Sequence, residues 1–340
     1  MAMDNKIDFV ITWVDGNDPV WRKDFKHYSE IEGKEVDKRP VRFRNWDNLQ
    51  YWFRGVEKFA PWVNNIYFVT YGHLPEWLNV NHPKLQIVKH EDFIPKEYLP
   101  TFSSYVIEFF FHRIKGLSEK FVYFNDDMFL INNVRPDRFF RDGLPCDLPG
   151  LSDFVHPNPS MFDNSVFMAK ALINKCFDKK KAIRSHWAKW YPLNHPRLSW
   201  NNFHYRRSRV FPGFMMNHLP QGYLKGTYDE VWASCREDLE RTCAHRFRAW
   251  GDVASWLVRY WQLASGNFTP YNYYKDGKYY NINEASIDKI VRCIKNQGKS
   301  MVCLNDNNDK IDFEVMKQKI QEAFEHILPE KSLFEKNSGA

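Results

Sequence analysis

Phe121-Val122-Tyr123-Phe124-Asn125-Asp126-Asp127 is the stretch that decides the fold: four aromatic and β-branched residues running into an amide and two acids. A short apolar run of this kind reads as a buried strand, and the polar triplet ends it. Ile7-Asp8-Phe9-Val10-Ile11-Thr12-Trp13-Val14 has the same form and stops at the turn Asp15-Gly16-Asn17-Asp18-Pro19. Between them lie two more strand candidates, 65–70 and 84–89, and two helix candidates, 45–59 and 105–114. In the first helix Leu49, Trp52, Phe53, Val56 and Phe59 recur at three- and four-residue spacing, and Pro61 stops it. Gly116 stops the second. Strands alternating with helices predict an α/β fold with a mostly parallel sheet and ligands at the strands' C-terminal ends. Asp15 and the Asp126-Asp127 pair then face one crevice.

Outward from this core, residues 140–215 are rich in Pro, Asn, His and Trp, with helical stretches near 165–190. Helical spacing resumes over 228–263, through Leu239, Cys243, Phe247, Trp250, Val253, Trp256, Leu257 and Tyr260. Met301–Leu304 is another short apolar run, ending at Asn305-Asp306-Asn307. An amphipathic helix spans 313–328, and a frayed tail is expected after it. Its apolar side (Phe313, Met316, Ile320, Phe324, Ile327) either packs on the core or docks on a membrane, and core packing is the default.

The chain has 340 residues, 44% hydrophobic and 26% charged, enough for one large or two smaller domains. An aromatic content of 17% excludes disorder. No apolar run approaches the roughly 20 residues of a membrane span. The six cysteines (Cys146, Cys176, Cys235, Cys243, Cys293, Cys303) form no C-x-x-C pair, so reduced thiols in a cytoplasmic protein are expected. The opening residues do not read as a signal peptide. A net charge of +6 suits a phosphate-rich small molecule or an anionic surface. Nucleic acid is disfavoured, because the basic residues are scattered, with two short clusters at Lys179-Lys180-Lys181 and Arg206-Arg207.

Several groups are candidates for chemistry. Adjacent carboxylates after a strand can hold Mg²⁺ or Mn²⁺ against a diphosphate, or simply cap the next turn. Glu108 and His112, four residues apart in the helix candidate, share a face, although an ordinary polar face beside the buried Phe run is the first reading of them. A lone His218 before Leu219-Pro220 reads first as structural. Arg241, Arg246, Arg248 and Arg259 offer phosphate ligands or a solvated face. No phosphate loop, nucleophile elbow or His-Glu-x-x-His motif is present.

The order of these strings resembles the Stealth family, which comprises bacterial capsular-polysaccharide phosphotransferases and the lysosomal-enzyme N-acetylglucosamine-1-phosphotransferase. Four blocks carry the resemblance: Ile7–Pro19; Asn48–Leu130, including Ile107-Glu108, His112-Arg113-Ile114 and Tyr123–Phe129; Phe214–Leu263, with His218, Arg241, Arg248 and Asp252; and Cys303–Asn307. One departure is Asp47-Asn48-Leu49-Gln50, where the family commonly has an arginine at the position of Gln50. Arg54 is then the better phosphate candidate. The resemblance implies a Rossmann-like fold of the nucleotide-sugar-transferase type with a helical second half. It also implies a single catalytic unit over 1–340: an α/β core at 1–140, a completing helical and loop region at 141–312, and a C-terminal helix and tail at 313–340.

The implied reaction is transfer of a sugar 1-phosphate from a nucleotide sugar, a UDP-sugar first among candidates, to a hydroxyl of a glycan or lipid-linked oligosaccharide. Glu108, Asp127, His218 and Arg248 are the implied catalytic residues. Asp15, Arg54, His112, Arg113, Asn125, Arg241 and Asn305 are expected to bind substrate. Asp126, Asp127 and Asp306 are expected to hold Mg²⁺ or Mn²⁺. His218 is the expected base and Glu108 a positioning group, with the reverse assignment open. The enzyme is expected in the cytoplasm, with peripheral contact at the inner membrane face and no nucleic-acid partner. One rival is a metal-dependent glycosyltransferase that releases nucleoside diphosphate. The other is a non-catalytic carbohydrate-binding protein using its aromatics as stacking platforms.

Overall fold

The computed structural model describes residues 6–33, 44–153 and 157–336. In chain order, the first half runs β1 (Ile7–Thr12), α1 (Pro19–Glu32), α2 (Leu49–Phe59), β2 (Ile66–Thr70), β3 (Leu85–Lys89), α3 (Ser104–Phe109), β4 (Lys120–Phe124), β5 (Met128–Leu130), β6 (Phe140–Arg141) and β7 (Leu144–Asp147). The second half runs α4 (Met161–Cys176), α5 (Lys179–Ser185), α6 (Trp187–Trp190), α7 (Pro196–His204), β8 (Gln221–Leu224), α8 (Lys225–Cys243), α9 (Trp256–Ser265), β9 (Thr269–Pro270), β10 (Gly277–Asn281), α10 (Ile287–Lys295), β11 (Met301–Asn305) and α11 (Phe313–Ile327).

The central sheet has the order β3-β2-β1-β4-β8, parallel except for β8, which runs antiparallel to β4. Helices cover both faces, which is why β1, β2 and β4 are buried along their length and mostly apolar rather than alternating. Alternate residues still point to opposite layers. Phe9, Ile11, Val122 and Phe124 join the core under α2, α10 and α11. Val10, Phe121 and Tyr123 join the core under α3, α4, α8 and α9. Asp8 is buried in β1, where its carboxylate accepts Asn64 Nδ2 at 2.7 Å, the Asn65 amide at 3.0 Å and the Ser118 amide at 2.7 Å. These bonds tie together the N-terminal ends of three strands. A second sheet, β10-β11-β5, carries the Asn305-Asp306 segment to the acidic end of β4.

Three expectations are corrected. The 105–114 helix ends at Phe109 and is followed by a tighter turn at Phe111–Arg113. Phe109, Phe110 and Phe111 are all fully buried, and three consecutive residues cannot share one helical stripe. The helical pattern over 228–263 is broken at 244–255, where Asp252 accepts the Ala249 amide at 2.7 Å and Thr242 Oγ1 accepts the Val253 amide at 3.0 Å. The tail is docked rather than frayed. Phe334 packs on Phe53, the Asn79 amide donates to Phe334 O at 2.8 Å, and the Lys336 amide donates to Trp77 O at 2.8 Å.

The apolar side of α11 is spent on the core: Met316, Ile320, Phe324 and Ile327 are buried, with Phe324 against Tyr51 and Phe129. That face is closed to a membrane. Among the described residues, no helix is long and apolar enough to cross a bilayer.

Candidate active site

A cleft of about 930 Å³ opens at the C-terminal edge of the parallel strands. Trp13 and Val14 beyond β1 and Asn125, Asp126 and Asp127 beyond β4 form its floor. Glu108 from α3, His218 from the segment before β8, Arg248 from the 244–255 loop and Asn305-Asp306 from the end of β11 complete it. Residues far apart in sequence meet here because parallel strands end on one side of a sheet.

Asp127 is the hub. Its Oδ2 lies 3.4 Å from His218 Nε2 and accepts the Cys303 thiol at 3.2 Å, while Asn125 Nδ2 lies 3.3 Å from His218 Nε2. Asp127 Oδ1 is buried with no hydrogen-bond partner. Burial opposes charge on this carboxyl, yet the adjacent His218 outweighs it and holds the carboxyl below its ordinary range. The pairing works the other way on His218: burial disfavours its cation, but Asp127 raises its basicity above the usual histidine value. Asp126 is pushed up to about 7, by burial first and by the charge on Asp127 second. Solvent reaching Asp126 through the open cleft tempers that shift.

Glu108 forms the opposite wall. Ser255 Oγ donates to its Oε2, and burial raises its pKa against that bond and the nearby Arg248. Arg248 donates to Ser104 Oγ at 2.7 Å and its guanidinium stacks 4.3 Å above the Tyr105 ring, which fixes it beside Glu108. The Arg248 loop is itself pinned: Asp252 also holds His245 Nδ1 at 2.6 Å, the Phe102 amide donates to Arg246 O at 2.8 Å, and Asn164 Oδ1 accepts the Gly251 amide at 2.8 Å.

Other candidates lie elsewhere. Arg54 is a buried residue of α2, clamped bidentately on Glu335 at 2.8 and 2.9 Å and on Leu328 O at 2.8 Å. Its Nη1 also donates to Glu325 of α11 at 3.2 Å, so with its donors taken up by α11 and the tail it is no phosphate ligand in this structure. His112 diverges from Glu108 because the helix stops between them. It stacks on Tyr228 at 5.5 Å, and burial pushes its pKa down to about 4. Arg113 is exposed beside Phe110, and Arg241 pairs with Asp238 at 2.8 Å on the outer face of α8. None of these four lines the cleft.

Asp15 lies just outside the lining, its Oδ1 accepting the Asn17 amide at 2.8 Å and its own amide donating to His73 Nε2 at 2.7 Å. Asn305 lines the cleft and donates to Asn281 Oδ1 at 2.8 Å. Arg259 is buried against Asp147, its Nη2 donating at 2.8 Å.

A divalent cation fits some of these donors better than others. The ligand atoms of Asp127, His218 and Cys303 all lie within 4.8 Å of one another. The orphaned Oδ1 of Asp127, with Asp126 beside it, is the kind of hard oxygen site Mg²⁺ or Mn²⁺ takes. Asp306 is different. Both of its oxygens take the Arg44 guanidinium, and Oδ2 also accepts Trp46 Nε1 at 3.0 Å. As arranged, Asp306 is an arginine partner and stands apart from the Asp127 cluster. Arg44, Trp46, Cys303 and Ser255 were missed as site residues from sequence, although Ser255 and Cys303 lie within the third and fourth blocks.

A family model for Stealth protein CR2, conserved region 2, matches residues 42–146, and one for Stealth protein CR1, conserved region 1, matches residues 5–33. The capsular polysaccharide phosphotransferase WcwK of Streptococcus pneumoniae is 42% identical over 335 residues, covering 98% of this chain and 100% of its own. The chain belongs to the Stealth family. Other relatives of this Stealth protein are the receptor polysaccharide phosphotransferase WefC of Streptococcus oralis, 39% identical (97% of this chain, 99% of its own). The exopolysaccharide phosphotransferase cps2G of Lactiplantibacillus plantarum is 36% identical (97% and 96%). Among solved structures, the galactosyltransferase LgtC in complex with donor and acceptor sugar analogues aligns with a TM-score of 0.41 at 8% identity, covering 93% of this chain and 95% of that one. A likeness that remote says nothing about the chemistry of the Stealth cleft.

Proposed function

We propose that this Stealth protein transfers a sugar 1-phosphate from a nucleotide sugar, a UDP-sugar first among candidates, to a hydroxyl of a glycan acceptor in cell-surface polysaccharide synthesis. The new bond is a phosphodiester between sugars, and the nucleoside monophosphate leaves. The observation that carries this reading is full-length similarity to proteins named polysaccharide phosphotransferases, joined to a cleft that holds an Asp-His pair opposite a Glu-Arg pair.

The reaction needs a base for the acceptor hydroxyl and positive charge for the phosphoryl oxygens. His218, made more basic by Asp127, accepts the hydroxyl proton. Arg248, held in place by Ser104 and Tyr105, binds the phosphoryl oxygens, whose charge shifts during transfer. Glu108, its charge disfavoured by burial, accepts from Ser255 and orients Arg248 and the acceptor. Asp127 and Asp126 would hold Mg²⁺ or Mn²⁺, which when bound neutralises the diphosphate. The cleft aromatics Trp46, Trp256, Tyr274 and Tyr279 offer faces for sugar rings. A cytoplasmic site of action follows from the donor, since nucleotide sugars are made there.

The test is the nucleotide released on incubation with UDP-, CDP- and GDP-sugars and an oligosaccharide acceptor. Acceptor-dependent release of nucleoside monophosphate is expected with one donor. Release of nucleoside diphosphate instead identifies a glycosyltransferase and refutes the proposal.

A further inference from the structure

With α11 closed to a membrane, a different surface has the chemistry of one. Residues 179–210 contain nine Lys and Arg (Lys179, Lys180, Lys181, Arg184, Lys189, Arg197, Arg206, Arg207, Arg209) and no Asp or Glu. The segment is thus +9 in a chain of +6, leaving the remainder at −3. The two short basic clusters seen in the sequence are the ends of this one acid-free stretch. It also holds a concentration of exposed apolar side chains: Trp187, Leu193, Trp200, Phe203 and Val210, with Trp200 at 75% and Leu193 at 96% exposure.

Helix α7 shows how the segment is built. Its inner side is anchored by buried Leu198 and Asn202. Asn202 donates to Pro149 O at 2.7 Å and to Trp190 O at 2.8 Å, and accepts the Leu151 amide at 2.8 Å. The outer side presents Arg197, Trp200, Phe203 and His204, followed by Arg206 and Arg207. Trp200 and Phe203 stack with ring centres 6.0 Å apart, and the Arg206 guanidinium sits 3.9 Å over the Phe203 ring. The fold needs none of these outer groups, because the inner side holds the helix.

We propose that this face docks the protein on an anionic lipid bilayer, with Trp200 and Phe203 entering the headgroup region and the arginines on lipid phosphates. A helix lying flat with tryptophan and phenylalanine beside arginine is the pattern of an interfacial anchor. Lys179 is buried, its Nζ donating to Tyr205 O and Ser208 O. The eight remaining cations of this segment, which itself carries no acid, favour a negatively charged surface over a zwitterionic one. Asn201 and Asn202 also bind Leu151, which pairs with Phe214, four residues before His218. The docked face is thereby braced against the segment that carries His218 into the cleft.

The experiment is sedimentation of the full chain with phosphatidylcholine vesicles and with phosphatidylcholine–phosphatidylglycerol vesicles (about 2:1), at low and high salt. Binding to the anionic vesicles alone, weakened by salt, is expected. Arg197→Gln/Arg206→Gln/Arg207→Gln lowers the partition coefficient about a hundredfold, at about fivefold per arginine. Trp200→Ser/Phe203→Ser lowers it at least tenfold. Both variants keep the native thermal midpoint and the rate on a soluble acceptor. The proposal is overturned if the native chain ignores anionic vesicles, or if both variants bind them as well as the native chain does. It is equally overturned if the substitutions abolish binding to a soluble anionic polysaccharide while vesicle binding survives.

Discussion

Replacing Arg54 by Met separates two readings of one arginine. The motif match implied a phosphate ligand; the structure makes it the clamp that fixes the C-terminal tail. Its Nε and Nη2 donate to Glu335 and its Nη1 to Leu328 O and to Glu325, which is half exposed and keeps its solvent when the arginine is removed. The Arg54 and Glu335 side chains are only 10% and 5% exposed. Removing one member of such a buried pair costs about 3–5 kcal/mol, because the other charge stays behind without its partner. Glu335 is partly rescued, since the Ser332 amide and hydroxyl still donate to Oε1 at 2.9 and 3.2 Å. The lower end of the range therefore applies, about 3 kcal/mol. At about 2 °C per kcal/mol for a chain of this size, the thermal midpoint should fall by about 6 °C. Glu335→Leu added to Arg54→Met removes the stranded charge and should recover most of the loss. Calorimetry gives the midpoint, and steady-state kinetics should show an unchanged KM for the donor. A donor KM raised tenfold with an unchanged midpoint refutes this reasoning and returns Arg54 to the phosphate.

Four further outcomes are expected. His218→Gln should lower kcat by about 10²–10⁴, the range of a lost general base, with donor affinity measured by calorimetry nearly unchanged. Ser255→Ala removes a hydrogen bond that favours the Glu108 carboxylate, so the Glu108 pKa rises further and the acidic limb of the rate profile moves to higher pH; an unmoved limb argues against a charged Glu108 in the reaction. His112 has a folded pKa of about 4 against an ordinary 6.5, so the unfolded chain binds the extra proton between those values and stability falls as pH drops through that window. His112→Phe should reduce the loss of unfolding free energy, from urea titrations, between pH 7 and 4.5 by about 2 kcal/mol, allowing for partial exposure, and an unchanged loss contradicts the assignment. Chelation should abolish turnover and added Mg²⁺ or Mn²⁺ restore it, with Asp126→Asn requiring more metal for half-restoration; full activity in chelator removes the metal from the account.

The central sheet was legible because its strands are buried on both faces. β1, β2 and β4 read as continuous apolar runs whatever packs on them. The acidic edge was legible for a related reason: the turn after a parallel strand lies at the ligand-binding side, so Asp126 and Asp127 were placed by topology alone. Side-chain direction was not. Glu108 and His112 look like neighbours at helical spacing, but the three buried phenylalanines between and around them force a tighter turn and send them to different places. Local sequence does not say whether Arg54 finds phosphate or Glu335, which lies 281 residues away in the chain. The same holds for Arg44 on Asp306 and for the Cys303 thiol on Asp127, long-range pairs with no periodic signal. The aromatic surplus divides in a way composition could not show. Most rings, Trp52 and Trp190 among them, fill the two core layers, some line the cleft, and Trp187 and Trp200 are exposed on the acid-free segment 179–210.

The most direct test of the central claim is the phosphorus NMR spectrum of the glycan product made from the accepted nucleotide sugar. Transfer of a sugar 1-phosphate predicts a phosphodiester resonance coupled to the anomeric proton of the transferred sugar and to a proton of the acceptor, absent with His218→Gln or Asp127→Asn protein. A product that carries the new sugar and no phosphorus contradicts the account.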